Sequence, residues 1–324
     1  MSRALIYAAP RAAVIEDGPE GAGPGGENDV RARMVVSALS RGTERLVFEG
    51  RVPESERARM RAPFQRGDFP FPVEYGYCAV AEVLEGPADL LGRLVFALHP
   101  HRTLFRLPAE ACVPLPDGLS PDLAALAANM ETALNVVWDA RLAPGDRVAV
   151  VGAGLVGCLI AHLAARLPGT QVHLADEDPS RKPTAEHLGA RFCNSAELPS
   201  GLDAAINASA SAEGLSAALG CLGVEGRCVE ASWHGAASVT VPLGEAFHAQ
   251  RLTLVSSQVG RLPPDRAPRW SHRRRLETAL ALLAEAPELS ALITAEVPFE
   301  DLPARLPDLL APGAEGIATL VRYP

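Results

Sequence analysis

The sequence predicts an α/β protein in which a doubly wound parallel sheet follows a compact, mostly β domain. Three observations predict this fold. Short strand-like segments rich in Pro and Gly fill the first third of the chain, strands and helices alternate after Ser120, and a G-x-G-x-x-G motif joins a strand to a helix at 152–157. Strands that alternate with helices indicate right-handed βαβ crossovers, which build parallel sheets.

Six segments of the first domain are predicted as strands because turn residues bound them. They are residues 3–9, 12–18, 30–39, 77–86, 93–99 and 111–116.

A helical segment at 120–142 opens the second domain, with Ser120 as the predicted N-cap and Pro121 as the first helical residue. Predicted strands and helices then alternate, and the tail adds one helix and a last strand. The strands are 147–154, 171–176, 204–210, 226–232, 251–259 and 316–324, and the helices are 155–169, 183–190, 211–223 and 274–286. This pattern predicts a first domain at 1–122, completed by 263–324, and a dinucleotide-binding domain at 123–262.

Composition excludes several classes of protein. The 324 residues are 48% hydrophobic and 21% charged, which is typical of a globular protein. A net charge of −9 argues against nucleic acid as a partner. No segment reaches the roughly 18–20 consecutive apolar residues of a membrane helix, and the first dozen residues carry charge with no apolar segment behind them. We expect a cytoplasmic protein with neither a membrane nor a nucleic-acid partner.

The six cysteines never form a C-x-x-C pair and lie in apolar segments. Such thiols are usually small buried hydrophobes in a reducing compartment. We expect neither disulfides nor a zinc cluster.

The G-x-G-x-x-G motif is the strongest local signal for function. Gly152 makes the tight turn, Gly154 lets the backbone approach a pyrophosphate, and Gly157 lets the helix pack on the strand. Leu155 and Val156 open that helix and belong to the predicted cofactor site. The alternative is a purely structural glycine turn.

Asp176 ends the next predicted strand, near the ~20-residue distance expected for a carboxylate that binds the adenosine ribose. A carboxylate there repels a 2′-phosphate, and Glu177 and Asp178 add to the repulsion, so NAD is favoured over NADP. The positive charge of Arg181 could moderate this preference, so NADP remains the alternative cofactor.

The chain resembles the medium-chain dehydrogenase/reductase superfamily over nearly its whole length. The strings that carry the resemblance are ALSRGTE (38–44), VEYGYCAVAEV (73–83), LPAEACVPLPDGLS (107–120), GDRVAVVGAGLVG (145–157) and LTLVSSQVG (252–260). It implies a Rossmann domain beside a GroES-like catalytic domain. The segment SRGTERLVFEGRVP is similar to the branch of bacteriochlorophyllide dehydrogenase, and the zinc-independent members include quinone oxidoreductase-like proteins.

Zinc-dependent members of this superfamily hold the metal with a Cys, a His and a third Cys or Glu. Arg41 and Tyr77 stand at the first two of these positions, and Glu131 at the third. A guanidinium stays protonated, and one remaining carboxylate is a poor zinc site. The lobe that carries four cysteines for structural zinc is missing too. We therefore predict an enzyme without zinc.

Without a metal, the charge on a substrate oxygen must be met by side chains. Tyr77 is the predicted proton donor, Arg41 supplies positive charge to the phenol or to a substrate carboxylate, Thr43 passes on a proton, and Glu131 orients Arg41 as an ion pair. The structural alternatives are a core aromatic for Tyr77 and a structural salt bridge for Arg41.

The resemblance also implies cofactor contacts outside the glycine motif. The turn with Thr43 and Glu44 faces the nicotinamide ribose, and the backbone of Ser256 and Gln258 meets the nicotinamide carboxamide. Ala208 and Ser209 lie near the bridge between the two halves of the cofactor.

Two basic or metal-like patterns are predicted to be structural. His99 and His101 form H-x-H on a predicted strand, which points both rings to one face, and we expect packing or solvated histidines rather than metal ligands. Arg273, Arg274 and Arg275 are expected to form a solvated first helical turn rather than an anion site.

The predicted function is a zinc-independent, NAD(P)-dependent oxidoreductase that acts on a small-molecule carbonyl, alcohol or enone. The alternative is a nucleotide-binding redox sensor or non-catalytic partner protein with a decayed active site. By analogy with relatives, an edge strand at 252–259 favours a homodimer.

Overall fold

The computed structural model describes residues 1–20 and 28–324 and divides the chain into two compact units. Unit 1 comprises Met1–Ala128 and Leu276–Pro324, and unit 2 comprises Asn129–Arg275. Among the described residues, no helix combines the length and the apolarity that crossing a bilayer requires.

Unit 1 begins with short strands and one helix. In chain order these are β1 (Ser2–Ala9), β2 (Ala12–Gly18), β3 (Asp29–Leu39), α1 (Arg41–Phe48), β4 (Arg66–Gly67), β5 (Val73–Glu74), β6 (Ala79–Glu85), β7 (Leu94–Ala97), β8 (Leu104–Pro108) and β9 (Val113–Pro114). The predicted strand at 111–116 shrinks to β9, because a 3₁₀ turn at Ala109–Ala111 precedes it and prolines cannot donate to a ladder.

Two helices follow, α2 (Pro121–Ala124) and α3 (Ala127–Ala140). Ser120 caps α2, since its hydroxyl accepts a hydrogen bond from the Leu123 N–H at 3.3 Å, and Pro121 is the first helical residue as predicted. The single predicted helix is thus two helices.

Strands and helices then alternate through unit 2. They are β10 (Arg147–Val151), α4 (Leu155–Ala165), β11 (Gln171–Ala175), α5 (Lys182–His187), β12 (Arg191–Cys193), β13 (Leu202–Asn207), α6 (Ala212–Gly220), β14 (Leu222–Glu230), α7 (Glu245–Ala249) and β15 (Thr253–Ser256). The tail holds α8 (His272–Ala284), β16 (Ile293–Pro298), α9 (Leu302–Leu309) and β17 (Ala318–Arg322).

Six parallel strands form the sheet of unit 2 in the order β12-β11-β10-β13-β14-β15. This order reverses between β10 and β13, which is the doubly wound arrangement that binds dinucleotides. The central strand β10 is buried on both faces, as a parallel strand between two helix layers must be. The predicted α/β fold class is confirmed.

Unit 1 contains two mostly antiparallel sheets. One has the order β2-β1-β5-β4, and the other runs β16-β17-β3-β6-β7-β9 with β8 paired to β3. Among the described strands of unit 1, only β16 and β17 pair in parallel. The tail strands β16 and β17 therefore complete a sheet that begins with the N-terminal third of the chain.

The borders between the units differ from the predicted 122 and 262. Residues 263–275 belong to unit 2 because the ring of Trp270 packs on Trp138 at 4.6 Å and the Arg275 guanidinium binds Glu131. A spacing pattern cannot show such packing, since the partners are far apart in the sequence.

Candidate functional site

The carboxyl ends of five parallel strands meet in one row at the edge of the sheet of unit 2. In register, Ala175 pairs with Val151, Val151 with Asn207, Asn207 with Glu230, and Glu230 with Ser256. The residues that follow continue the ladder, since the Gly152 N–H donates to the Ala175 carbonyl and the Ala208 N–H to the Val151 carbonyl, both at 2.8 Å. In open α/β sheets ligands bind at this edge.

The glycine motif lies in the middle of this row, and its glycines have different tasks. A Cβ on Gly157 would overlap the Gly152 carbonyl oxygen, and a Cβ on Gly152, whose φ is +103°, would lie 2.7 Å from Ser209 N. Gly154 is exposed, and a Cβ there would have no neighbour within 4 Å. Two glycines thus serve packing, and the third leaves open space at the start of α4.

Helix α4 begins at Leu155, directly after Gly154. The Leu155 side chain is buried and that of Val156 half-buried, so only their backbone N–H groups are available to an anion. First-turn N–H groups of a helix have no partner within the helix and attract phosphate. The loop and helix therefore fit a pyrophosphate.

Asp176 stands beside this loop and fixes it. Its carboxylate accepts hydrogen bonds from Ala153 N at 2.6 Å and Asp178 N at 2.9 Å. Each carboxylate oxygen keeps a second acceptor site. Asp176 can therefore hold the loop and still accept bonds from ribose hydroxyls.

Arg181 is engaged by its own turn. Its Nε lies 3.2 Å from Asp178 Oδ2 in an i,i+3 ion pair. Asp178 also caps this 3₁₀ turn by accepting from Ser180 N. The Arg181 guanidinium is thus partly neutralised by a carboxylate.

The loop after β13 is tied together by short side chains. The buried Asn207 accepts from the Ser209 hydroxyl at 2.7 Å, and this hydroxyl lies 2.9 Å from that of Ser211. Ala208 and Ser209 lie at the carboxyl edge of the sheet, beside Gly152. Ser256 ends β15 at the same edge and is exposed, as is Gln258 two residues later.

Glu230 and His234 also belong to this edge, and sequence reasoning missed them. Glu230 Oε2 accepts from Asn207 Nδ2 at 2.7 Å, and its Oε1 accepts from Ser232 N at 2.8 Å. His234 Nε2 lies 3.5 Å from Glu230 Oε2. The sequence did offer one signal for Glu230. It is an acidic residue at the carboxyl end of β14, whose neighbour β13 pairs with β10, the strand that leads into the glycine motif.

In unit 1, Arg41 binds backbone carbonyls. Its guanidinium donates to the carbonyl oxygens of Ala314 and Gly316, both at 3.0 Å, and of Glu315 at 2.5 Å. These three carbonyls belong to the loop before β17. Arg41 thus fastens the tail of the chain to the start of α1.

The predicted ion pair between Glu131 and Arg41 is wrong. Glu131 Oε1 accepts from Arg275 Nε at 2.9 Å inside unit 2, and both side chains are buried. The predicted solvated turn is wrong for Arg275 as well, because this guanidinium also donates to Asn135 Oδ1 and to the Val259 carbonyl. Arg274 does stay exposed, with its guanidinium 4.0 Å above the Trp270 ring.

Tyr77 is half-buried at the end of the loop before β6. Its hydroxyl donates to Ser40 Oγ at 2.5 Å. Burial raises the pKa of Tyr77, which the hydrogen bonds with Ser40 and Thr43 only partly oppose. The phenol therefore keeps its proton at neutral pH.

A buried polar network surrounds Glu44, the residue after Thr43. Glu44 accepts from the Tyr7 hydroxyl and from Ser40 N, both at 2.7 Å, and its Oε2 lies 3.1 Å from His101 Nε2. Burial raises the pKa of Glu44, but the combined lowering by the His101 ring and these two donors is larger. The pKa of Glu44 therefore lies below its ordinary value. The other ring nitrogen of His101 lies 2.7 Å from Ser37 Oγ.

His99 and His101 lie in the loop between β7 and β8 and not on a strand, so the expectation of two rings on one strand face is wrong. His99 stacks on Phe105 with ring centroids 4.0 Å apart, and burial lowers its pKa to about 3. Both histidines are buried, as packing residues are.

The side chains at the three zinc-ligand positions do not fit zinc. Arg41 is a cation bound to carbonyls, Tyr77 is a phenol that holds its proton, and the Glu131 carboxylate is neutralised by Arg275. Zinc needs several deprotonated N, O or S donors, and none of these three is free to serve. Across residues 1–20 and 28–324, no three His, Cys, Asp or Glu side chains gather as a metal site would need.

Comparison with known proteins gives distant relatives and a clear fold. No family model matches the chain. L-galactonate-5-dehydrogenase of Escherichia coli (strain K12) is 41% identical over 83 residues, which are 26% of this chain and only 22% of that protein. D-guloside 3-dehydrogenase of the same strain is 26% identical over 308 residues, which are 86% of this chain and 87% of that protein.

Two solved structures have the same fold over nearly their whole length. A candidate zinc-binding dehydrogenase from Sinorhizobium meliloti 1021, bound to NADP, has a TM-score of 0.79 at 17% identity and covers 99% of both chains. An alcohol dehydrogenase from E. coli CFT073, complexed with NADH, has a TM-score of 0.75 at 15% identity and the same coverage. At this identity the likeness is one of fold.

Proposed function

We propose that this chain is a member of the medium-chain dehydrogenase/reductase superfamily and an NAD-dependent oxidoreductase acting on a secondary alcohol or its ketone. One observation carries the proposal: the open glycine loop, the start of α4 and Asp176 stand together at the carboxyl edge of a doubly wound sheet. This arrangement binds a dinucleotide by backbone N–H groups and one carboxylate.

The residues that would hold the cofactor follow from this geometry. The backbone at Gly152, Gly154, Leu155 and Val156 would bind the pyrophosphate, and Asp176 the adenosine ribose. Ala208, Ser209, Ser256 and Gln258 would border the other half. The bound nicotinamide would accept or donate the hydride.

The proposed cofactor is NAD. Asp176 repels a 2′-phosphate, and the charge of Arg181 is partly neutralised by Asp178. NADP remains the second candidate, because Arg181 can exchange Asp178 for a phosphate.

The proposed chemistry does not use zinc, because the donors at the three ligand positions do not fit the metal. Tyr77 is proposed as a neutral hydrogen-bond donor to the substrate oxygen, which requires its hydroxyl to leave Ser40, and Thr43 as its partner. Arg41 and Glu131 are proposed as structural groups, since their charges are already met by carbonyls and by Arg275.

The substrate class rests on the relatives. L-galactonate and D-guloside, which appear in the names of two relatives, are polyhydroxylated, so we propose a polyol-type alcohol. Enone reduction is the second enzymatic candidate, since resonance carries charge to an oxygen that hydrogen bonds can hold. A nucleotide-binding sensor without turnover is the alternative from another class, and the replaced ligand positions favour it.

The test begins with cofactor binding. All three tryptophans, Trp138, Trp233 and Trp270, belong to unit 2, so NADH and NADPH can be titrated by tryptophan fluorescence on protein analysed for zinc. Binding of NADH in preference to NADPH, at less than stoichiometric zinc, supports the proposal. Binding of neither overturns it.

Turnover then separates the candidates. The bound form is assayed with NAD on polyols and 2,3-butanediol, and with NADH on ketoses and enones. Oxidation of an alcohol supports the first candidate, and reduction of enones alone supports the second. Tight binding with no turnover on any of these supports the sensor.

A homodimer is proposed from the sheet. In the described part of the chain, β15 pairs with β14 alone and so ends the sheet. An unpaired edge is commonly covered by a second copy. Light scattering coupled to size-exclusion chromatography tests this, and a monomer mass at micromolar concentration would overturn it.

A further inference from the structure

We propose that His234, whose Nε2 lies 3.5 Å from Glu230 Oε2, is the acid–base residue of this oxidoreductase. The proposal deepens the proposed function and rests on it, because it requires a nicotinamide dinucleotide in unit 2. It requires nothing of unit 1, since His234 and the whole glycine loop lie within unit 2.

The position of Glu230 is the first argument. Glu230 ends β14 between Asn207, which ends β13, and Ser256, which ends β15. In a doubly wound sheet one mononucleotide half binds on each side of the reversal in strand order. Asp176 follows β11 on one side, so β13, β14 and β15 border the nicotinamide half on the other. Glu230 thus lies in the half where the reaction takes place.

The rigidity of this corner is the second argument. Asn207 Nδ2 and Ser232 N each donate to one oxygen of the Glu230 carboxylate. The Ser232 hydroxyl accepts from Ala210 N at 2.9 Å and so ties the loop after β14 to the loop after β13. His234 follows two residues after Ser232, so its backbone emerges from a corner that these bonds fix.

The orientation of the ring is the third argument. His234 Nε2 is buried, lies 3.5 Å from Glu230 Oε2 and has no hydrogen-bond partner among the described residues. The side chain is nevertheless 17% exposed, so the ring has one nitrogen toward the carboxylate and a part that reaches solvent. A histidine backed by a carboxylate is the arrangement that general acid–base catalysis uses, and such bonds are often long before substrate binds.

The chemistry balances in both directions. In alcohol oxidation the substrate O–H bond breaks and its proton passes to His234 Nδ1, while the C–H bond breaks and its electron pair leaves with hydrogen as hydride to the nicotinamide. The carbon–oxygen double bond forms from the O–H electron pair. Glu230 stabilises the resulting imidazolium by its charge, and reduction reverses each step.

A footprint experiment tests the location without a known substrate. The whole protein is treated with diethyl pyrocarbonate alone, with AMP or with NADH, and each modified histidine is quantified by mass spectrometry. His187 and His248, both exposed and in unit 2, are the controls. We expect His234 to react in the free protein and with AMP, and to be protected several-fold by NADH, while both controls react equally in all three samples.

Each other outcome decides the matter. If fluorescence shows NADH bound and His234 reacts unchanged, or does not react in the free protein, or is protected equally by AMP, the proposal fails and the proposed function stands. If NADH does not bind, the proposed function fails and this proposal with it.

Variants then test the role. We expect His234→Asn to lower kcat by about 100-fold with the NADH dissociation constant unchanged, since general acid–base catalysis contributes about that factor. Glu230→Gln keeps an acceptor oxygen and should lower kcat less, and His248→Asn should leave it unchanged. Full kcat in His234→Asn would show that another group moves the proton.

Discussion

Arg275 Nε donates to Glu131 Oε1 at 2.9 Å across 144 residues of sequence. The two side chains are 2% and 6% exposed, and Asn135 and the Val259 carbonyl each accept one further guanidinium N–H group. Burial raises the pKa of Glu131, and the Arg275 charge opposes that shift. A charge this deep depends on its partner, because removal of one leaves the other uncompensated.

Replacement of Arg275 by Leu is therefore expected to lower the free energy of unfolding by about 3–5 kcal/mol, the usual cost of breaking a buried ion pair. The matched control is Arg274→Ala, which loses a cation–π contact with Trp270 that is worth about 0.5–1 kcal/mol at an exposed site. Urea unfolding measures both. Similar losses in the two variants would contradict the burial argument.

Replacement of glycine by alanine is expected to have different effects at two positions of the glycine loop. Gly157→Ala should destabilise the protein by about 1–3 kcal/mol, because the new methyl group overlaps the Gly152 carbonyl and the backbone must shift. Gly154→Ala should leave the Tm unchanged and weaken NADH binding by about tenfold or more, because its methyl group occupies the space for a pyrophosphate. Thermal unfolding and NADH titration compare them, and unchanged NADH affinity in folded Gly154→Ala would count against the dinucleotide site.

Asp176 is expected to set the cofactor preference. Asp176→Asn loses the charge and should weaken NADH by about tenfold, as the loss of a charge-assisted hydrogen bond does, while NADPH weakens less. Asp203→Asn is the control, because Asp203 lies at the opposite end of the strands, beside Arg147 N. Fluorescence titration gives the ratio of the two dissociation constants, and a ratio equal to that of the control would exclude the role of Asp176.

His99 predicts a loss of stability in acid. The pKa of His99 is about 3 in the folded protein and about 6.5 in the unfolded chain. Between these pH values the unfolded chain binds a proton at His99 and the folded protein does not. The free energy of unfolding should fall by up to about 1.4 kcal/mol per pH unit between these values from this group alone. His99→Gln should flatten that slope in urea unfolding between pH 6.5 and 4, and the exposed His187→Gln should not. A slope as steep as that of the unmodified protein would refute the assignment.

Tyr77 tests the proposed hydrogen bond to the substrate oxygen. Tyr77→Phe keeps the ring and removes the hydroxyl, and kcat should fall by about 100-fold, as for the loss of one donor to a developing oxyanion. Tyr75→Phe, which changes a buried tyrosine two residues earlier, is the control. Turnover at the normal rate in Tyr77→Phe would leave the phenol as a packing residue beside Ser40.

The sequence by itself determined the fold class and the glycine loop. Gly152, Gly154 and Gly157 lie within six residues, and Asp176 follows at a spacing set by one helix and one strand, so local patterns suffice to predict them. The Ser120 cap was predictable for the same reason, because a cap involves only neighbours along the chain.

Only the tertiary structure decided which partner each charged side chain binds. From the sequence, Arg275 was one of three arginines expected to be solvated, but in the fold its guanidinium binds the buried Glu131. Arg41 was expected to pair with Glu131, but its guanidinium binds carbonyls of the loop before β17. Glu230 gained its place from the pairing of β13, β14 and β15, and His101 met Glu44 across 57 residues. Such contacts depend on strand order and register, which join residues that no short spacing relates.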